Sequence, residues 1–170
     1  MRSEPIDPEG LTFTGVSPRL VWARMLVWLP SALLTVAGCA VPLVLTLTGV
    51  WVWMPAVVAW LIPVVALVVV LWRLVLIPRQ VRALGYAERD EDLLIRSGLF
   101  FRRLVVVPYG RMQYVDVKAG PVERALGMAG IKLHTASAAT DAAIPGLPTG
   151  EAARLREALS ARGEARLAGL

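Results

Sequence analysis

Hydrophobic residues are unevenly distributed along this chain. From position 25 to position 72 no side chain carries a charge, and arginines stand on either side: Arg19 and Arg24 before, Arg73, Arg79 and Arg82 after. A helix needs about 20 apolar residues to cross the hydrocarbon core of a bilayer. The run is long enough for two crossings and breaks near its middle at Thr48-Gly49-Val50-Trp51. The pattern predicts two transmembrane helices, residues 25–47 and 52–74, packed as antiparallel neighbours because the link is short. Both flanks of this hairpin are basic, so the positive-inside rule places both on the cytoplasmic side. Arg19, Arg24, Arg73, Arg79 and Arg82 are read as topology-setting residues. Residues 1–24 become a cytoplasmic tail and 75–83 a juxtamembrane linker. The C-terminus also faces the cytoplasm, in a multi-pass protein of a bacterial plasma membrane.

Details of the run fit a lipid environment. Trp22, Trp28, Trp51, Trp53 and Trp72 stand at or near the predicted helix ends, where an indole finds both apolar and polar surroundings. Pro63 removes an internal hydrogen bond and is the expected site of a kink. The small residues 37–40 would let helix backbones approach closely. No Asp, Glu, Lys, Arg or His lies inside the span. Ion and substrate pathways usually need one, so the hairpin is read as an anchor, and a small transporter subunit is the weaker alternative.

Beyond residue 82 the periodicity changes from helical to alternating. Strands are expected at 84–88, 93–97 and 99–107, the last two turning about Gly98. Over 112–119 the alternation puts Gln113, Val115 and Val117 on one face and Met112, Tyr114, Asp116 and Lys118 on the other, as in a half-buried antiparallel strand. After Gly120-Pro121 the pattern resumes over 129–135, with Ile131 and Leu133 inward and Lys132 and His134 outward. A short strand at 141–144 is followed by punctuation at Pro145-Gly146-Leu147-Pro148. Thr149 is placed to cap a closing helix, 150–161, with an apolar stripe of Ala152, Leu155 and Leu159. Gly163 ends it, leaving 163–170 as a tail.

Charge refines the picture. The chain carries a formal +5, and all of that excess lies after the hairpin. Roughly 90 residues follow it, enough for one small domain. The single cysteine, Cys39, falls in the first apolar segment, so an intrachain disulfide is excluded. One histidine, His134, sits on the outward face of a strand. No Cys/His metal spacing, phosphate-binding glycine loop or nucleophile–base set is present. No catalytic residue, metal ligand or cofactor site is assigned. Interspersed acids and the lack of a recognised motif argue against nucleic acid, and no small-molecule substrate is evident.

Residues 107–117 (Val-Pro-Tyr-Gly-Arg-Met-Gln-Tyr-Val-Asp-Val) and 120–129 (Gly-Pro-Val-Glu-Arg-Ala-Leu-Gly-Met-Ala) form a long ordered motif. It resembles the signature of the bacterial PH domain membrane proteins, the YdbS-like family. Residues 94–100 look like that family's first hairpin, and 146–155 like the approach to its closing helix. The resemblance covers about 84–160 and implies a PH-like, partly open β-barrel capped by a C-terminal helix, at 84–162 and facing the cytoplasm. It implies no catalytic activity. Two roles remain open. One is an adaptor or regulatory module acting through a protein partner or self-association, with Tyr109, Tyr114 and Phe100 or Phe101 as candidate patch residues. The other is a sensor of anionic headgroups. Arg102, Arg103, Arg111, Lys118, Arg124 and Lys132 are the candidate headgroup or partner contacts. The acidic turn Asp90-Glu91-Asp92 and the opposed faces expected for Arg102 and Arg103 weigh against a single phosphate clamp.

Overall fold

The computed structural model describes residues 11–135 and 142–167. The chain divides into two compact units. One comprises 24–78; the other combines the N-terminal residues through Ala23 with everything from Arg79 onward.

The first unit is the apolar hairpin. Helix α1 spans Arg19–Leu47 and α2 spans Ala56–Arg82, each long and apolar enough to cross a membrane. Helix α1 ends at Leu47 as expected but begins at Arg19 rather than 25, and α2 spans 56–82 rather than 52–74. Gly49 adopts a left-handed φ of 75°. Val50 N–H donates to the Leu45 carbonyl and Gly49 N–H to that of Thr46. That pair of bonds is a Schellman stop. Helix α2 starts only after Pro55, whose carbonyl accepts from Val58 and Ala59. At its far end the expected linker 75–83 is largely helix, so Arg73, Arg79 and Arg82 are all helical. Large apolar side chains such as Leu34, Val57 and Trp60 face outward along the hairpin, as a hydrocarbon solvent requires. The hydroxyls of Ser31, Thr35 and Thr46 donate to the carbonyls of Trp28, Ser31 and Pro42 at 2.7–2.8 Å. They are satisfied within their own helix and need no polar partner in lipid.

The second unit holds two antiparallel sheets and a helix. Sheet A orders β1 (Thr14–Gly15), β2 (Gly85–Glu88), β3 (Asp92–Ser97) and β4 (Arg103–Pro108). A 3₁₀ turn, Tyr109–Arg111, leads to sheet B: β5 (Met112–Lys118), β6 (Met128–Thr135) and β7 (Ala142–Pro148). A short helix, α3 (Pro121–Ala125), joins β5 to β6, and α4 (Thr149–Leu167) closes the chain. Ala152, Leu155 and Leu159 on α4 are fully buried among Tyr86, Leu93, Ile95 and Val107 of sheet A and Ile131, Leu133, Ile144 and Leu147 of sheet B. The predicted stripe therefore seals the core between the sheets. A second cluster joins Leu20 and Ala23 of α1 and Val81 of α2 to Met128.

Several local expectations need correction. Residues 11–23 are not a free tail: Thr14 and Gly15 pair with Tyr86 and Gly85, and Ser17 N–H donates to the Gly146 carbonyl at 2.9 Å. Met112 is buried while Tyr114, expected on the same face, is exposed, because a register shift between them breaks the alternation. The stretch Pro145–Pro148 belongs to β7 rather than ending a strand. Gly146 takes φ 68° there, and an added Cβ would lie 2.7–2.9 Å from Leu20 atoms. A turn-like composition thus marks a close approach inside a strand. The helix continues through Gly163 to Leu167. The predicted strand start at Asp141, residues 1–10 and the last three residues lie outside the described ones.

Candidate interaction surface

The six candidate cations occupy several elements of both sheets. Arg102 lies in the β3–β4 turn, not in a strand as expected; Arg103 opens β4 and Arg111 ends the 3₁₀ turn. Lys118 ends β5, Arg124 lies on α3 and Lys132 is mid-β6. Lys118 pairs with Asp116 at 3.0 Å, and Asp116 also stands opposite Lys132 in the β5–β6 ladder. The pairing of Lys118 with Asp116, and the acid opposite Lys132, lower the positive potential on this part of sheet B. Of the topology-setting group, Arg19 also makes a structural contact. Its guanidinium donates to the Leu126 carbonyl at 3.2 Å, tying the start of α1 to the turn after α3.

The aromatic candidates divide clearly. Tyr109 is fully buried and belongs to the core. Tyr114 is exposed and stacks on His134 across the ladder, with ring centroids 4.3 Å apart. Phe100 and Phe101 are the outliers, 73% and 91% exposed at the tip of the β3–β4 turn.

A polar clasp escaped the sequence reading. Glu88 at the end of β2 accepts from Arg154 of α4 at 2.6 Å and from Arg162 at 3.3 Å. Arg154 also donates to both oxygens of Glu151, and the Tyr86 hydroxyl donates to Glu151 Oε1 at 2.6 Å. Arg162 donates to the Tyr109 hydroxyl at 2.9 Å, which itself donates to the Arg89 carbonyl at 2.8 Å. Burial and then the hydrogen bond to the Glu151 carboxylate push the Tyr86 hydroxyl up to about 12. Burial also raises Tyr109, against the opposing pull of Arg162. Hydrogen bonds from Arg154 and Tyr86 hold Glu151 below its usual range, and those to Glu151 and Glu88 raise Arg154. The clasp fastens α4 across the edge of sheet A. Only the Glu151–Arg154 spacing of three on one helix was visible locally; the other partners are 20 to 74 positions apart.

Strand β4 supplies the other notable feature. Its inner edge is paired with β3 over the full length from Arg103 to Pro108. It is the last strand of sheet A, and among the described residues no strand pairs with its outer edge. That edge reads Leu-Val-Val-Val between Arg103 and Pro108, and Val106 is 45% exposed. Among the described residues no group of three His, Cys, Asp or Glu is arranged to hold a metal ion.

A family model described as "Bacterial PH domain" matches residues 24–163. The UPF0699 transmembrane protein YdbS of Bacillus subtilis (strain 168) is 39% identical over 75 residues, a match covering 44% of this chain and 46% of that protein. The chain therefore covers just under half the length of that curated relative. No solved structure matches.

Proposed function

The chain belongs to the bacterial PH domain family, and we propose that it is a membrane-tethered adaptor that binds a protein partner along the free edge of β4. It is a membrane protein with a PH-like domain; the relative's transmembrane character and the two apolar helices agree on that. In this reading both helices span the plasma membrane, and both termini lie in the cytoplasm because the flanking arginines are retained there. The two sheets form a partly open PH-like barrel, open between β4 and β5 and closed by α4. The role is non-enzymatic.

The observation that supports the adaptor reading is the unpaired β4 edge. An edge strand offers a row of backbone donors and acceptors, and soluble domains usually protect such edges with charge, bulges or cover. Here the central four residues, Leu104 to Val107, are all aliphatic and carry no charge. An extended partner segment could add as a further strand, with its backbone supplying affinity and Val106 part of the side-chain contact. Dedicated headgroup sensing has less support, because the candidate cations are dispersed over both sheets and Lys118 is paired with Asp116.

The test is site-specific photocross-linking of the full chain in its native membrane. A benzoylphenylalanine at position 106 should give a discrete adduct of defined mass. The same group at exposed position 153 on α4 should not. An identical pattern at both positions, or no adduct at 106, would remove the β4 edge as the docking site.

A further inference from the structure

The β3–β4 turn pairs a rigid backbone with two solvent-facing phenylalanines. Gly98 adopts φ 93°, and a Cβ added there would overlap the Phe101 carbonyl oxygen. The backbone therefore closes tightly on itself and leaves the Phe100 and Phe101 rings outside, 73% and 91% exposed. Two adjacent exposed aromatic side chains on a small domain call for a partner surface. Arg102 and Arg103 follow at once, and both are exposed.

The register of sheet A says which end of the sheet bears this turn. Strand β2 begins at Gly85, three residues after α2 ends at Arg82. Strand β1 ends at Gly15, paired with Gly85, and α1 begins at Arg19. Arg96 of β3 also pairs with Gly85, so β3 runs out into the Phe100–Phe101 turn at that same end. Both connections to the apolar helices thus depart from the end of sheet A that carries the phenylalanines. The opposite end carries the β2–β3 turn, where Glu88 pairs with Leu93 and Asp90, Glu91 and Asp92 gather negative charge. The two ends of sheet A therefore differ: one carries the exposed phenylalanines with Arg102 and Arg103, and the other carries the acidic turn, whose charge Arg89, Arg154 and Arg162 offset in part.

We propose that the β3–β4 turn is a membrane-surface anchor. Phe100 and Phe101 enter the boundary between headgroups and acyl chains of the cytoplasmic leaflet, and Arg102 and Arg103 lie against anionic headgroups. An aromatic ring is well accommodated at that depth. Each arginine near an anionic leaflet improves partitioning roughly fivefold, and the acidic turn at the far end is repelled from the same surface. The anchor involves no stereospecific headgroup pocket, so dispersed cations elsewhere on the domain do not count against it. It would also hold the neighbouring β4 edge at the bilayer surface, limiting that edge to partners in or on the membrane. The anchor depends on cytoplasmic orientation but not on the β4 edge having a partner.

Spin-label accessibility in the full chain separates the outcomes. In a Cys39→Ser background, Phe101→Cys carries a nitroxide at the turn, and Asp90→Cys carries one at the acidic turn. Both proteins are placed in phosphatidylcholine nanodiscs containing phosphatidylglycerol. Immersion in lipid raises collision with dissolved oxygen and lowers collision with a water-soluble nickel chelate. The expected oxygen-to-nickel ratio is several-fold higher at 101 than at 90. Arg102→Glu combined with Arg103→Glu should bring the ratio at 101 back toward the value at 90. Equal ratios at 101 and 90 in the parent chain would overturn the proposal, because the turn would then be in water. Low collision with both reagents at 101 would overturn it in favour of a protein contact. A high ratio that survives the double charge reversal would refute the part assigned to the arginines.

Discussion

Alkaline conditions should loosen α4 from sheet A through one residue, Tyr86. It is 2% exposed and its hydroxyl donates to Glu151 at 2.6 Å. Burial and the adjacent carboxylate both disfavour the phenolate, so the group titrates at about 12 instead of 10.0. The folded state holds this proton more tightly than the unfolded chain does. Its contribution to stability is therefore complete below pH 10, declines as the pH rises, and is gone once the pH passes the folded value of about 12. At about pH 11 the unfolded tyrosine is mostly ionised and the folded one mostly protonated. One pH unit of unequal proton binding corresponds to about 1.4 kcal/mol. Arg154, which shares Glu151, is half exposed, and solvent screening brings the expected loss to about 1 kcal/mol.

Tyr86→Phe keeps the ring and removes the proton. Every other group is common to both proteins, so its contribution cancels in the comparison. The assay is urea unfolding in nanodiscs, followed by far-UV circular dichroism over a constant background from the hairpin. With a urea slope of about 1–3 kcal/mol per molar, the wild-type midpoint should fall by roughly 0.3–1 M more than that of Tyr86→Phe between about pH 8 and pH 11. A difference between the two midpoints that stays constant over that range would refute the coupling of Tyr86 to Glu151.

Two further substitutions probe the core and its join to the start of α1. Gly146→Ala forces a side chain into a left-handed conformation and against Leu20, whose atoms would lie 2.7–2.9 Å from the new Cβ. Conformation alone costs about 1–2 kcal/mol and the overlap adds to it. The urea midpoint should drop, and protection of the Ser17 amide should fall in hydrogen exchange. Full retention of both would show that Leu20 moves aside freely. Leu159→Ala deletes a fully buried side chain at the centre of the α4 seal and should cost about 2–5 kcal/mol. Glu157→Ala, on the exposed face of the same helix, should stay within about 0.5 kcal/mol of wild type. Equal effects from the two would contradict the placement of α4.

The membrane hairpin, the alternation of β6 and the buried stripe of α4 were legible in the chain because each depends on a local rule. A bilayer demands an uncharged run of helix length whatever surrounds it, and periodicities of two and 3.6 record which face is buried. The same rules gave out where a neighbour, not the local pattern, determines conformation. Two residues, Thr14 and Gly15, carry no periodicity; only Gly85 and Tyr86 make them a strand. Gly146 reads as a turn residue until Leu20 occupies the space a Cβ would fill. A one-residue register shift separated buried Met112 from exposed Tyr114, which alternation had placed on one face. Tyr109 and Phe101 are both aromatic and both flank β4, yet one is sealed in the core and the other stands almost wholly in solvent. Composition treats them alike, because hydrophobicity states a preference for burial without saying where space for it exists. Apart from the Glu151–Arg154 spacing, the polar clasp was not legible, since its other partners converge only after the sheets and α4 have assembled. Sequence alone thus determined the segments whose fate the solvent decides, namely the two membrane helices and the main amphipathic elements. Tertiary structure decided which side chains meet and which remain exposed, because these outcomes depend on contacts between residues far apart in the chain.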